Sequence, residues 1–243
     1  MRLAVLSDIH ANLAALDAVL ADLDRSQAVD AMWACGDTVG YGPQPNEVIA
    51  RLQERGARAV MGNHDGAAIG VVDVTWFNDA AAAAIRWTAT VLTDASAAYL
   101  ADLSDREEEG DLTVVHGSPR EPIWEYIVSP EVARANLGAY ATRICLFGHT
   151  HFPVLYAADD GGVREVEAPA GSSVPLPAGR LLLNPGSVGQ PRDRNPDSSY
   201  LVLDLAAQTA QFRRVPYDIA RTQRLMREVG LPAWLVERLR HGR

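Results

Sequence analysis

Lysine is missing from this chain: among 243 residues, all 22 basic ones are arginine. The absence excludes a P-loop phosphate lysine, a Schiff-base lysine and an anchor for pyridoxal phosphate. Cysteine is almost missing too. Cys35 and Cys145 each close or occupy an apolar run, Met32-Trp33-Ala34-Cys35 and Ile144-Cys145-Leu146-Phe147. Both read as buried reduced thiols rather than a disulfide or a metal pair. No apolar run approaches the ~18 residues of a membrane helix. The longest, Ala80 to Ile85, is closed by Asp79 and Arg86. The first apolar stretch turns polar at Ser7-Asp8, too soon for a secretory leader, so a cytoplasmic location without membrane attachment is expected. An excess of positive charge is also lacking. The formal net charge of −9 argues against a protein that grips long DNA or RNA. A small phosphorylated substrate stays open, because bound cations reverse the field locally.

What is present is an ordinary globular composition, 48% hydrophobic, with no linker, repeat or low-complexity tract. One α/β domain over residues 1–243 is expected, ending in a helical tail from about 217 to 243. Leu3 to Leu6 reads as a buried strand. Asn12 caps a helix to about Leu23, with Leu13, Leu16, Leu20 and Leu23 on one face. A strand from Val29 to Cys35, a helix from Pro45 to Arg55 ended by Gly56, and a strand from Ala57 to Met61 follow. This alternation predicts a parallel sheet. Trp76 to about Leu103 reads as helix broken near Thr93-Asp94, with Phe77, Ala84, Trp87 and Val91 on a core-facing side. Beyond Leu112, short strands are expected at 112–115, 144–147, 154–157, 163–166, 181–183, 200–205 and 210–215, with one helix at 130–140. Ala168 to Gly179 reads as a surface loop, and Arg221, Arg224 and Arg227 as a solvated stripe. The expected architecture is two packed sheets flanked by helices.

Five of the six histidines follow buried strands, in company with Gly, Asp or Asn. The strands deliver, in turn, Asp8-Ile9-His10, Gly36-Asp37, Gly62-Asn63-His64-Asp65, His116-Gly117 and Gly148-His149-Thr150-His151. Ligand sites in open α/β folds lie at the carboxyl ends of strands. Five such deliveries point to metal ions. In an extended segment, residues two apart point the same way, so Asp8 with His10, and His149 with His151, are expected to share a metal. Imidazole, carboxylate and amide donors without thiolate suit Mn, Fe, Zn, Ni or Co.

These blocks resemble the signature of the calcineurin-like metallophosphoesterase family: Asp-x-His, Gly-Asp, Gly-Asn-His-Asp, an isolated His, then Gly-His-x-His. The resemblance runs in order from Asp8 to His151. The later stretch Asn184-Pro185-Gly186-Ser187-Val188-Gly189-Gln190-Pro191-Arg192 resembles the small, cap-less bacterial and archaeal phosphodiesterase branch. The resemblance implies an α/β/β/α sandwich and two divalent transition-metal ions, Mn favoured for activity. It implies that Asp8, His10 and His151 hold one ion, that Asn63, His116 and His149 hold the other, and that Asp37 bridges them. It places His64 over the substrate phosphate, where an imidazole protonates the leaving oxygen or stabilises the equatorial charge. Two adjacent cations need an anionic bridge to screen their repulsion, which agrees with Asp37. The implied activity is hydrolysis of a small phosphate ester by in-line attack of metal-activated hydroxide. No role is assigned to Asp65.

One departure bears on the substrate. Related protein phosphatases and dinucleoside tetraphosphate hydrolases follow the bridging Asp with Asp-Arg-Gly. This chain has Gly36-Asp37-Thr38-Val39-Gly40-Tyr41-Gly42-Pro43 and lacks that arginine. Losing a bidentate partner for a dianionic terminal phosphate favours a diester over a monoester. Arg192 is either its substitute or a surface residue. A non-catalytic scaffold with the same fold is the alternative of another class. The loops 66–75, 118–128 and 168–179 are expected to shape the pocket mouth.

Overall fold

The computed structural model describes residues 1–26 and 28–243. Its strands are β1 (Arg2–Leu6), β2 (Ala31–Ala34), β3 (Arg58–Ala59), β4 (Arg106–Glu109), β5 (Leu112–Val115) and β6 (Ile144–Leu146). They continue with β7 (Pro153–Asp159), β8 (Gly162–Glu165), β9 (Ser173–Pro175), β10 (Arg180–Pro185), β11 (Ser198–Asp204) and β12 (Thr209–Val215). The helices are α1 (Leu13–Arg25), α2 (Pro45–Glu54), α3 (Asn63–Ala68), α4 (Asp79–Val91), α5 (Asp94–Ala101), α6 (Pro130–Asn136), α7 (Ile219–Glu228) and α8 (Ala233–Arg238).

Two six-stranded sheets, ordered β3-β2-β1-β11-β12-β9 and β4-β5-β6-β10-β7-β8, pack face to face. Strand alternation explains how one run serves two layers. Leu3 and Val5 of β1 join Val114, Leu146, Leu155 and Leu183 of the second sheet to form the core between the sheets. Ala4 and Leu6 turn the other way, against Leu16, Val19 and Leu20 of α1 and Val48 and Leu52 of α2. The second sheet repeats the arrangement: Cys145 and Phe147 pack outward with Ala133 of α6. Each large aliphatic side chain buried this way contributes about 1.5–3 kcal/mol. The result is the expected α/β/β/α sandwich. Both cysteines are free and buried, and no helix among the described residues is long and apolar enough to cross a membrane.

Several elements differ from the sequence reading. The edge strand β4 is Arg-Glu-Glu-Glu, which no hydrophobic pattern announces; its charges suit an edge, where they oppose further pairing. The 168–179 segment is not wholly loop, since β9 within it pairs with β12. The helix expected from Trp76 begins as a 3-10 turn, Val74–Trp76, and α4 starts at Asp79 behind the Asn78 cap. Val91 is solvent-exposed rather than in the core. The break at Thr93 is as expected, with its hydroxyl capping α5. The tail is two helices whose Met226, Leu235 and Val236 pack against Tyr41 and Ala84. Arg224 and Arg227 lie on its exposed face, paired with Glu228 and Glu237.

Candidate active site

β1, β2 and β3 run parallel in one sheet, and β5, β6 and β10 run parallel in the other. Their carboxyl ends meet at one edge of the sandwich. Backbone bonds sew the loops together there: Asp8 N–H donates to the Gly36 carbonyl at 3.1 Å, and His10 N–H to Asp37 at 2.9 Å. Gly148 N–H donates to the His116 carbonyl at 2.8 Å, which joins the two strands of the second sheet. All eight polar residues expected at the site are buried: Asp8, His10, Asp37, Asn63, His64, His116, His149 and His151.

Two donor clusters form. Asp8, His10 and His151 bring ligand atoms within 4.8 Å of one another, as do Asp37, His116 and His149. Asn63 joins the second cluster, its Oδ1 3.1 Å from His116 Nε2. Asp37 stands between them, with Oδ2 3.6 Å from His10 Nε2 and 3.4 Å from His116 Nε2. A third grouping places His64 within the same reach of His10 and Asp37.

The expectation that Asp8 pairs with His10, and His149 with His151, through extended backbone is half right and rests on the wrong geometry. Asp8 and His10 do share a cluster, but both have left-handed φ, 52° and 49°. His149 and His151, with φ of 66° and 63°, go to different clusters. The chain bends at the donors instead of alternating past them, and held left-handed residues are a known form of stored strain at functional sites. Close approach demands glycine beside them. A Cβ on Gly36 (φ 80°) would lie 2.7 Å from His116 Nδ1, and one on Gly62 would collide with Asp37 Oδ1.

The hydrogen bonds show that this donor set fits cations. His10 Nδ1 faces the Val39 carbonyl at 3.1 Å, His116 Nδ1 the Cys35 carbonyl at 2.9 Å, and His151 Nδ1 the Gln190 carbonyl at 2.6 Å. A carbonyl only accepts, so the proton sits on each Nδ1, and a lone pair is left on Nε2 whenever the ring is neutral. The Nε2 atoms of His10 and His151 then face each other at 3.3 Å as two acceptors. Asp8 Oδ1 and His149 Nε2 are buried without any hydrogen-bond partner. Facing lone pairs and an orphaned carboxylate oxygen are costly without a positive charge among them.

Electrostatics agree. Burial pushes Asp8 up to about 7, with Asp37 adding to the rise against the pull of His116. Burial would raise Asp37 as well, but His116, His64 and His10 outweigh it and hold Asp37 well below the usual carboxylate range. Burial lowers His10, His149 and His151, which keeps them neutral and able to ligate. His116 goes the other way, up to about 9, because Asp37 and Asp8 overcome its burial.

A cleft of roughly 110 Å³ opens over the clusters, lined by Asp37, His64 and Arg192 and by an aromatic wall. His64 is buried at its floor, 4.3 Å ring to ring from Tyr41 and 5.0 Å from Phe77, and its Nδ1 has no partner. Burial first, and Arg192 in addition, bring His64 down to about 4 despite Asp37. Arg192 donates to Gln190 Oε1 at 3.0 Å, and its buried Nε has no partner.

Sequence reasoning missed the residues that hold the donors. Asp65 accepts from Thr38, Val39 and Gly62 N–H at 3.2, 2.9 and 3.0 Å, tying the Asp37 loop to the start of α3. Burial and Asp37 raise it to about 6. Asn184 donates to the Gly148 carbonyl, and Ser187 to the Asp8 carbonyl. The Asn184-Pro185-Gly186-Ser187 stretch was the available signal. The loop 168–179 does not reach the cleft, since β9 lies at the far edge of the first sheet. Trp124 and Tyr126, from the loop 118–128, do line it, as do Trp76 and Phe77.

Fold and site together are those of a metal-dependent hydrolase. A model of the calcineurin-like phosphoesterase superfamily domain matches residues 1–208, and the chain belongs to that family. A metallophosphoesterase from Sphaerobacter thermophilus is 44% identical with a TM-score of 0.90, covering 100% of this chain and 99% of its own. An uncharacterized protein of Methanocaldococcus jannaschii is 35% identical over 99% of this chain and 98% of its own length. A hypothetical protein from Pyrococcus horikoshii has the same fold, with a TM-score of 0.82 at 20% identity.

Proposed function

We propose that the protein is a binuclear metal-dependent phosphodiesterase, most active with Mn, working in the cytoplasm on a small phosphate ester. The observation that carries this is Asp37: one carboxylate oxygen faces histidines of both donor clusters. Asp8, His10 and His151 would hold one ion and Asn63, His116 and His149 the other. Bound there, the ions supply a hydroxide at neutral pH and offset charge on the phosphoryl oxygens. The chain supplies the rest. Asp65 and the Asn184–Gly189 loop keep the ligands in register, and the aromatic wall limits water at the cleft. His64, at the floor, assists departure of the leaving oxygen. Arg192 has no carboxylate partner in ion-pair distance among the described residues, which suits it to a substrate phosphate oxygen.

Metal analysis after reconstitution with Mn²⁺ should return two ions per chain, and the loaded protein should turn over bis(p-nitrophenyl) phosphate faster than p-nitrophenyl phosphate. One ion or none would remove the binuclear assignment. A preference for the monoester would remove the diester assignment.

A further inference from the structure

One wall of the cleft offers more than the exclusion of water. Trp76, Phe77, Trp124 and Tyr126 share the cleft with Asp37 and His64. Linked through the His149 imidazole, their rings form a series leading away from the ligands. Tyr126 stacks on His149 at 3.8 Å, and Trp124 lies 6.4 Å from the same imidazole. Trp124 in turn lies 5.2 Å from Phe77 and 5.4 Å from Trp76. Trp76, at the outer end, is 68% exposed, and Tyr126, against His149, is 47% exposed.

Resting on the phosphoesterase reading above, we infer that this wall is a stacking shelf for a flat aromatic ring carried by the ester group of the substrate. Such a ring belongs either to a nucleobase or to an aryl alcohol. A phosphoryl group beside Asp37 and His64 leaves the ester group it carries against the rings of this wall. A planar ring there covers the apolar faces that Trp76 and Tyr126 leave in water.

The shelf is firmly mounted, which a stacking surface requires to limit the entropy lost on binding. Trp124 and Tyr126 flank Glu125, whose carboxylate accepts from Ser118 Oγ at 2.6 Å and Asn136 Nδ2 at 2.7 Å and pairs with Arg120. The Trp76 turn is capped by Asp73, which accepts from Thr75 N–H at 2.9 Å. The side-chain amide oxygens in the cleft are committed, Asn63 Oδ1 beside His116 Nε2 and Asn78 Oδ1 to the Ala81 N–H, so among the described residues no free amide oxygen lines the shelf to accept from a base edge. Stacking should therefore favour any base over none, with little choice between bases.

The test is calorimetric binding of four probes to the Mn-loaded protein: adenosine 5′-monophosphate, ribose 5-phosphate, phenyl phosphate and ethyl phosphate. The aromatic member of at least one pair should bind about 10-fold more tightly than its partner. Trp76→Ala and Trp124→Ala should erase that ratio while leaving ribose 5-phosphate affinity in place. Trp76 is exposed enough that its removal leaves folding intact. A ratio confined to the nucleotide pair assigns a nucleobase set back by the ribose. A ratio confined to the phenyl pair assigns an aryl ester. Equal affinities within both pairs, or ratios untouched in both variants, overturn the shelf. Turnover of bis(p-nitrophenyl) phosphate by the same preparation then shows that the phosphoesterase reading survives that failure. If no probe binds and no turnover occurs, both fall.

Discussion

At the scale of single residues, Asp37 and His64 carry most of the argument. Among the described residues Asp37 is the carboxylate with one oxygen facing histidine side chains of both donor clusters, and its Oδ1 also accepts the His64 backbone N–H at 2.9 Å. Asp37→Asn should therefore cost more kcat than His10→Ala or His151→Ala, because it takes the anion from between two cations. Retention of both metals and near-normal kcat in Asp37→Asn would refute the bridging role. His64→Ala should leave the metal content unchanged and lower kcat by roughly 10²–10⁴, the usual value of proton transfer help. The penalty should grow as the leaving group worsens, from p-nitrophenolate to simple alkoxides, since only the latter need a proton to depart. A flat penalty across a series of aryl and alkyl diesters would instead mean that His64 stabilises phosphoryl charge. Loss of a metal would make it a ligand, as its reach to His10 and Asp37 allows.

At the scale of elements, the site depends on loops held by polar anchors, some buried and some partly so. The 118–128 loop is the clearest, because one carboxylate, Glu125, gathers Ser118, Arg120 and Asn136. Burial would raise Glu125, but Arg120, Ser118 and Asn136 outweigh it and hold its pKa below the ordinary 4.5. A depressed carboxylate pKa stabilises the fold above the unfolded value, and that contribution is lost as pH falls through the folded value. Melting temperature should accordingly fall more steeply for wild type than for Glu125→Gln between about pH 6 and about pH 3. Parallel slopes would show that Glu125 is not an anchor. The elements also show how far sequence patterns reach. Strand periodicity located β1, β5 and β6, because their alternate faces serve two cores. It missed β4, whose four charged residues form a strand only because β5 offers an edge to pair with.

At the scale of the whole molecule, the site is a cluster of buried ionisable groups gathered from the strand ends of both sheets. Asp8, raised to about 7, and His116, raised to about 9, both have folded values above their unfolded ones. Each therefore stabilises the metal-free protein fully below its unfolded pKa, and that help is lost as pH rises through the folded value. Metal ions compete with those protons and bind more strongly at higher pH. Chelation should lower the melting temperature, since a ligand at 100 times its Kd contributes about 2.7 kcal/mol. The drop should be larger near pH 9 than near pH 6. A drop independent of pH would mean that the ions do not displace protons from these two residues.

The sequence alone determined the sandwich, the strand ends that carry the donors, the identity of those donors and the family. Each of these is local: an apolar run, a glycine, a histidine one or two positions on. Strand spacing by itself did not determine how the donors divide, which only the family resemblance implied. His149 and His151 are two residues apart and stand in different clusters, because left-handed backbone turns them apart and the first sheet's approach brings Asp8 and His10 to one and Asp37 to the other. Nor did the sequence determine the anchors, or that Trp76 and Phe77 join the expected 118–128 loop in the aromatic wall. Asp65, Asn184, Trp76 and Trp124 carry no spacing signal, since their partners lie far along the chain or on another element. Only the packing of α4, the 118–128 loop and the two sheet edges around one point brings Trp76 to within 5.4 Å of Trp124 above the donors.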